Sequence, residues 1–219
     1  DQSAFYLFNV ARVATNPAKA LIPADLPNVA IVDWELSPSP MHSFMLTLHQ
    51  LQHEVPTLVE AVFSLSSGVR GPLVQFQKAA WMDEFRRLLD VKGVGLVGSM
   101  ISCVGAPHVL THAFAMRSVL VPQVMLELNR YYAGDEFIPI DEYFRQRLTR
   151  ATQESNFLIS SLFHAKRDKS DVFQNESCKD SATSLLSGCD SNPEDSVFIR
   201  WSGENLGARG FLCGKGIAM

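Results

Sequence analysis

Short apolar blocks separated by polar, turn-forming residues run along the first three-quarters of this chain. "AFYLFNVARV" and "NVAIVDWEL" are β-branched and aromatic runs bounded by Asn, Pro and Ser, a pattern that predicts strands. The link between them, "ATNPAKALIPADLP", is turn-rich and carries three prolines. In "SFMLTLHQLQHEV", residues 43–55, the apolar spacing predicts a helix stopped by Pro56. "LVEAVFSL" predicts a short buried strand over 62–65, with 66–72 as the loop at its carboxyl end. "AAWMDEFRRLLD" places Trp81, Phe85, Leu88 and Leu89 at helical spacing. Its acids, Asp83 and Glu84, come first and Arg86 and Arg87 later, which suits the helix dipole.

"GVGLVGSMISC" is apolar without alternation, as in a strand covered on both faces. "HVLTHAFAMRSVLVPQVMLELNRYY" reads as a strand or short helix followed by a helix. "IDEYFRQRLTRATQESNFLISSLF" reads as an amphipathic helix with a terminal strand. Strands and helices alternate, so the expected class is α/β: a layered sandwich around a mostly parallel sheet. Near residue 165 the character changes to a polar stretch rich in Ser, Asp, Asn and Lys. The expected division is an α/β domain over 1–164, a polar surface insertion or disordered loop over 165–196, and a strand with a Gly-rich tail over 197–219.

Composition narrows the function. Of 219 residues 47% are apolar and 19% charged, which suits a globular chain with a real core. A net charge of −4 argues against nucleic acid as the partner, because phosphate backbones select basic faces. No apolar run approaches the ~20 residues that span a bilayer, so no membrane-spanning segment is expected. Cys178 and Cys189 bracket a short polar loop that a disulfide would close, and Asn175-Glu176-Ser177 is a glycosylation sequon. Together they point to an oxidising lumen of the secretory pathway or Golgi. Cys103, in an apolar stretch, reads as a buried free thiol. His42, His49 and His53 lie on or near one helix, but two of them on a face without a third ligand do not make a zinc site.

"SLSSGVRGPL" holds three serines, two glycines and an arginine in ten residues after an apolar run. Such a loop is either a tight turn or a cradle for an anion, in which backbone N–H groups face the ligand and Arg70 makes a bidentate contact to phosphate. It is neither a Walker loop nor a dinucleotide fingerprint. "SSGVRGPL", then "WMDEFRRLL", "VGLVGSMISC" and "PHVLTHAFAM" resemble, in that order, a family of eukaryotic and algal glycosyltransferase-like proteins related to the rhamnan synthesis F type. The resemblance covers about residues 62–114. It implies a GT-A-like fold that transfers sugar from a nucleotide-sugar donor to a glycan or glycoconjugate acceptor, as in Golgi polysaccharide biosynthesis.

By that resemblance Ser66, Ser67, Arg70 and Gly71 would bind the donor, and His108 matches the motif histidine. The chain departs from the family at Ser66 (Asn there), Gly68 (Ser), Leu110 (Gln), Thr111 (Ser) and Arg117 (Asp). Transfer requires the leaving diphosphate to be neutralised. A Mn²⁺ or Mg²⁺ ion held by Asp33 and Glu35 at the end of "NVAIV" would do so, since these ions take oxygen ligands. The same acids also read as a strand end entering a solvated loop, with Arg70 then carrying the charge alone. An inverting transfer also needs a general base, for which His108, Asp141 and Glu142 are the candidates. The expected function is therefore a glycosyltransferase. The alternative is a catalytically degenerate glycosyltransferase fold that serves as a binding or scaffold module, as the departures suggest.

Overall fold

The computed structural model describes residues 4–11, 17–34, 39–53, 59–66, 69–70, 81–102, 107–134, 138–162 and 199–200. The Cys178–Cys189 loop, the sequon, Cys103, and the 165–196 insertion lie outside them. The strands are β1 (Tyr6–Ala11), β2 (Val29–Trp34), β3 (Ala61–Leu65), β4 (Val69–Arg70), β5 (Val94–Gly98), β6 (Ile101–Ser102), β7 (His108–Val109), β8 (Ala113–Arg117), β9 (Leu158–Ser161) and β10 (Ile199–Arg200). The α-helices are α1 (Pro40–Gln50), α2 (Trp81–Leu89), α3 (Val121–Ala133) and α4 (Ile140–Glu154).

The α/β class is present, with a four-stranded sheet in the order β3-β8-β5-β9 at its centre. That sheet is mixed: β8 pairs antiparallel with both β3 and β5, and β5 pairs parallel with β9. Strands β3, β5 and β9 therefore share one direction, and β8 runs back between them. The expected parallelism survives as a common direction for three strands, while two of the three hydrogen-bonded pairings are antiparallel. β1 and β2 form a separate parallel pair, joined to α1 by a bond from Thr47 Oγ1 to Asn9 Oδ1 (2.7 Å).

Alternation sorts the sheet's side chains onto two faces, interrupted in β5 by a register irregularity between Val94 and Leu96 that puts these two on opposite faces. Leu96, Phe114, Met116 and Ile159 pack with α1, α3 and α4 through Met45, Val124, Leu128, Phe144 and Leu148. Val94, Val97, Ala113 and Ala115 face α2 through Phe85, Leu88 and Leu89. Covering both faces explains why β5 is apolar throughout, as its sequence suggested. β3 is an edge strand, and its residues are only half-buried, with Leu65 exposed, less than its apolar composition predicted.

Capping sets the helix bounds. α1 begins before residue 43 because Ser39 Oγ accepts the His42 N–H (3.1 Å) and Pro40 sits in the first turn. It ends at Gln50, where the Leu51 N–H returns to the Thr47 carbonyl, short of the expected Val55. After α2 the chain turns through Gly93 at φ +85°, a left-handed conformation that suits glycine. Arg117, at the end of β8, donates from Nε to the Val94 carbonyl (2.7 Å) and from its guanidinium to the Leu89 carbonyl at the end of α2. One cation thus satisfies the last turn of α2 and the start of β5 together.

Candidate functional site

Because β3, β5 and β9 run together, their carboxyl ends meet the start of β8 along one edge of the sheet. Ser66 follows β3, Ser99 follows β5, and His112 precedes β8. The Ser66 N–H donates to the His112 carbonyl (2.9 Å), and the Ser99 N–H donates to the Ala113 carbonyl (2.9 Å). His112 Nε2 lies 3.0 Å from Ser99 Oγ. Ser99 is fully buried and His112 half-buried. Segments remote in sequence are thereby joined at one edge. In open α/β sheets this carboxyl edge is where ligands sit.

The chain after Ser99 folds back as β6 against β7, pairing Ile101 with Val109 and Ser102 with His108. Gly98 permits this return. A Cβ there would stand 2.6 Å from Val109 Cγ1 and 2.7 Å from the Met100 carbonyl oxygen. β7 is held from outside by Thr149 of α4, whose Oγ1 accepts the Val109 N–H (2.9 Å). His108 is only 3% exposed and belongs to this packed return.

The other expected site residues fall in several places. Asp141, in the first turn of α4, accepts the Met41 N–H at Oδ1 (3.2 Å), so its carboxylate caps the neighbouring helix α1. Glu142 is exposed in the same turn. Asp33, on β2, is bridged to Lys19 Nζ at 2.6 Å, with both side chains more than two-fifths exposed. Among the described residues no group of three or more His, Cys, Asp or Glu gathers as a metal site. Glu35, Ser67 and Gly71 lie outside the described residues. Arg70 is described by its backbone, which pairs with Ile199 in the β4–β10 ladder. Val69 and Arg70 are thus strand, where the sequence predicted loop throughout 66–72.

Where α1, α3 and α4 meet, His42 Nε2 lies 2.9 Å from Tyr132 Oη. Burial, then neighbouring Tyr131, raises the Tyr132 phenol above its ordinary pKa. Tyr143 donates to Glu127 Oε2 (3.2 Å), and its phenol is raised by burial first and by the Glu127 charge second. Glu127, 1% exposed, is also paired with Arg130. These groups tie helices together.

Sequence reasoning overlooked Ser99 and His112. Both lie in segments it singled out, and the signal was positional: each is the polar residue flanking an apolar strand at the same sheet edge. Among the described residues no helix is long and apolar enough to cross a membrane. No family model, curated protein or solved structure matches this chain.

Proposed function

We propose that this chain is a nucleotide-sugar-dependent glycosyltransferase domain acting on a glycan or glycoconjugate acceptor. The observation that carries this reading is the convergence at the sheet's carboxyl edge. Ser66, from the segment that resembles a donor loop, is bonded to His112, from the histidine segment; His112 is bonded to Ser99, from the Gly-Ser segment. The resemblance rests on these segments in sequence order, and they become neighbours in space. The donor's diphosphate would lie against Ser66, Ser67, Arg70 and Gly71. Backbone N–H groups and the guanidinium would stabilise the leaving charge there.

Asp33, compensated by Lys19, would have to release that cation before it could take Mn²⁺ or Mg²⁺ with Glu35. Charge neutralisation would then fall to Arg70. A binding or scaffold module on the same fold is the second reading. It is favoured by Arg117, which stands where the family has a carboxylate and is committed to two backbone carbonyls.

A thermal-shift panel of UDP-, GDP- and dTDP-sugars, with and without Mn²⁺, tests the reading. A cognate donor at a hundredfold excess over Kd should stabilise the fold by about 2.7 kcal/mol. For a chain of this size that raises Tm by about 5–11 °C. Absence of a shift with every donor, with or without Mn²⁺, would overturn the proposal. Stabilisation without sugar transfer would select the binding module.

A further inference from the structure

We propose that the end of the sheet opposite the Ser66–His112 edge is a self-association surface, on which a second copy of this chain docks about a two-fold axis. The proposal stands apart from the glycosyltransferase reading. At this end the starts of β3, β5 and β9 lie beside the finish of β8. The Ser118 N–H donates to the Glu60 carbonyl (3.0 Å), Arg117 bonds to the Val94 carbonyl, and the Leu158 N–H donates to the Gly93 carbonyl (2.7 Å). These bonds set Val59, Val119 and Leu158 in a row across the sheet, and all three are exposed, Val119 the most at 59%. From Val119 the chain enters α3, where Pro122 and Leu126 follow at intervals of three and four and share the outward face. The exposed residues from Val119 to Asn129 carry no charge, whereas the outward face of α4 carries Glu142, Arg145, Arg150 and Glu154. The inner side of α3 buries Val124, Met125 and Leu128, so apolar residues occupy both of its sides. That is the pattern of a helix covered twice.

Charge selects the occupant. Among the described residues, the exposed ionic groups flanking the row are Glu60, Asp90 and Lys92. Arg87 and Glu154 are paired within their own helices, Arg117 is committed to two carbonyls, and Arg86 is half-buried on α2. An anionic lipid surface selects clusters of cations, and this mixture of signs is not one. It does complement itself. Across the sheet Glu60 stands at β3, Val119 at β8 and Lys92 at the start of β5. A two-fold axis passing at Val119 sets that residue against its counterpart, and Glu60 of each copy against Lys92 of the other. The row spans about 15 Å at the spacing of strands, and α3 is about 20 Å long. A patch of about 300 Å² is smaller than the ~800 Å² per partner of a standard interface, so the dimer is weak and concentration-dependent. Both Ser66–His112 edges face away from the contact.

Sedimentation velocity of the full chain over about 1–300 µM should show a monomer–dimer equilibrium. Val119→Asp and Leu126→Glu, both at exposed positions, should leave the melting temperature unchanged and raise the dissociation constant at least about tenfold. Glu60→Lys should raise it about threefold or more. Adding Lys92→Glu to that chain should return it to within about twofold of the wild type, because the reversed pair meets again across the axis. A chain that is monomeric throughout the range would overturn the inference. So would a dimer indifferent to the two apolar-face substitutions or to the charge reversal. Continuous growth into polymers would also overturn it, since a two-fold contact closes at two copies. Flotation with phosphatidylcholine vesicles, with or without phosphatidylserine, in place of self-association would overturn it and assign the face to lipid. None of these outcomes alters the donor thermal-shift panel, which tests the other edge.

Discussion

Replacing Arg117 with methionine keeps the aliphatic stem and removes the guanidinium that joins α2 to β5. Two carbonyls lose their donor, those of Leu89 and Val94, and both residues are buried. Each hydrogen bond from a charged group contributes about 1.5–3 kcal/mol. Arg117 is half-buried, and water partly replaces what is lost, so the low end applies and the pair is worth about 3 kcal/mol. At about 2–4 °C per kcal/mol for a chain of this size, Tm should fall by about 6–12 °C. Urea unfolding followed by tryptophan fluorescence and far-UV circular dichroism should show an earlier midpoint with an unchanged slope. Arg117→Lys should recover part of the loss, because a point charge cannot span both acceptors. Arg117→Asp, which installs the carboxylate the resemblance expects, should be worse than methionine, since it sets an anion against two carbonyl oxygens. A midpoint shift worth less than about 0.5 kcal/mol for Arg117→Met would refute the clamp, that being the range of ordinary surface substitutions.

Two further substitutions probe the edge and its surroundings. Gly98→Ala should destabilise by about 1–3 kcal/mol in chemical denaturation, through overpacking. Val109→Ala in the same chain should relieve only part of this, because the Met100 carbonyl is backbone and cannot be trimmed. Asp141→Ala should cost about 0.5–2 kcal/mol through the lost cap on α1, with donor turnover unchanged in steady-state assays. Loss of turnover at wild-type stability would return Asp141 to catalysis.

Local periodicity made much of the fold legible. α2 was readable from Trp81, Phe85, Leu88 and Leu89 with its ordered charges, and β5 from its unbroken apolar run. The place of β8 between β3 and β5 was not readable, because alternation reveals which face a residue takes and not which strand lies beside it. Arg117 looked like a departure from a motif because its partners lie 23 and 28 residues away. Ser66 and the histidine segment were readable as candidates. Asp141 was legible as an acid at a helix start, but its partner, Met41, is 100 residues distant. The pairing of Ser99 with His112 likewise needed the sheet, since neither residue has a local pattern of its own.

The strand order also ranks the pairings by the chain entropy each must overcome. Joining β5 to β8 closes a loop of about 15 residues, whereas β3 to β8 closes about 50 and β5 to β9 about 60. Closure entropy rises with the logarithm of loop length, so each outer pairing is disfavoured by about 1 kcal/mol relative to the central one. The central pair is also the one whose connecting segment, β6 and β7, folds back on itself. The edge that brings Ser66 to His112 is therefore complete only after a long loop has closed, whereas Ser99 and His112 are brought together by the shortest.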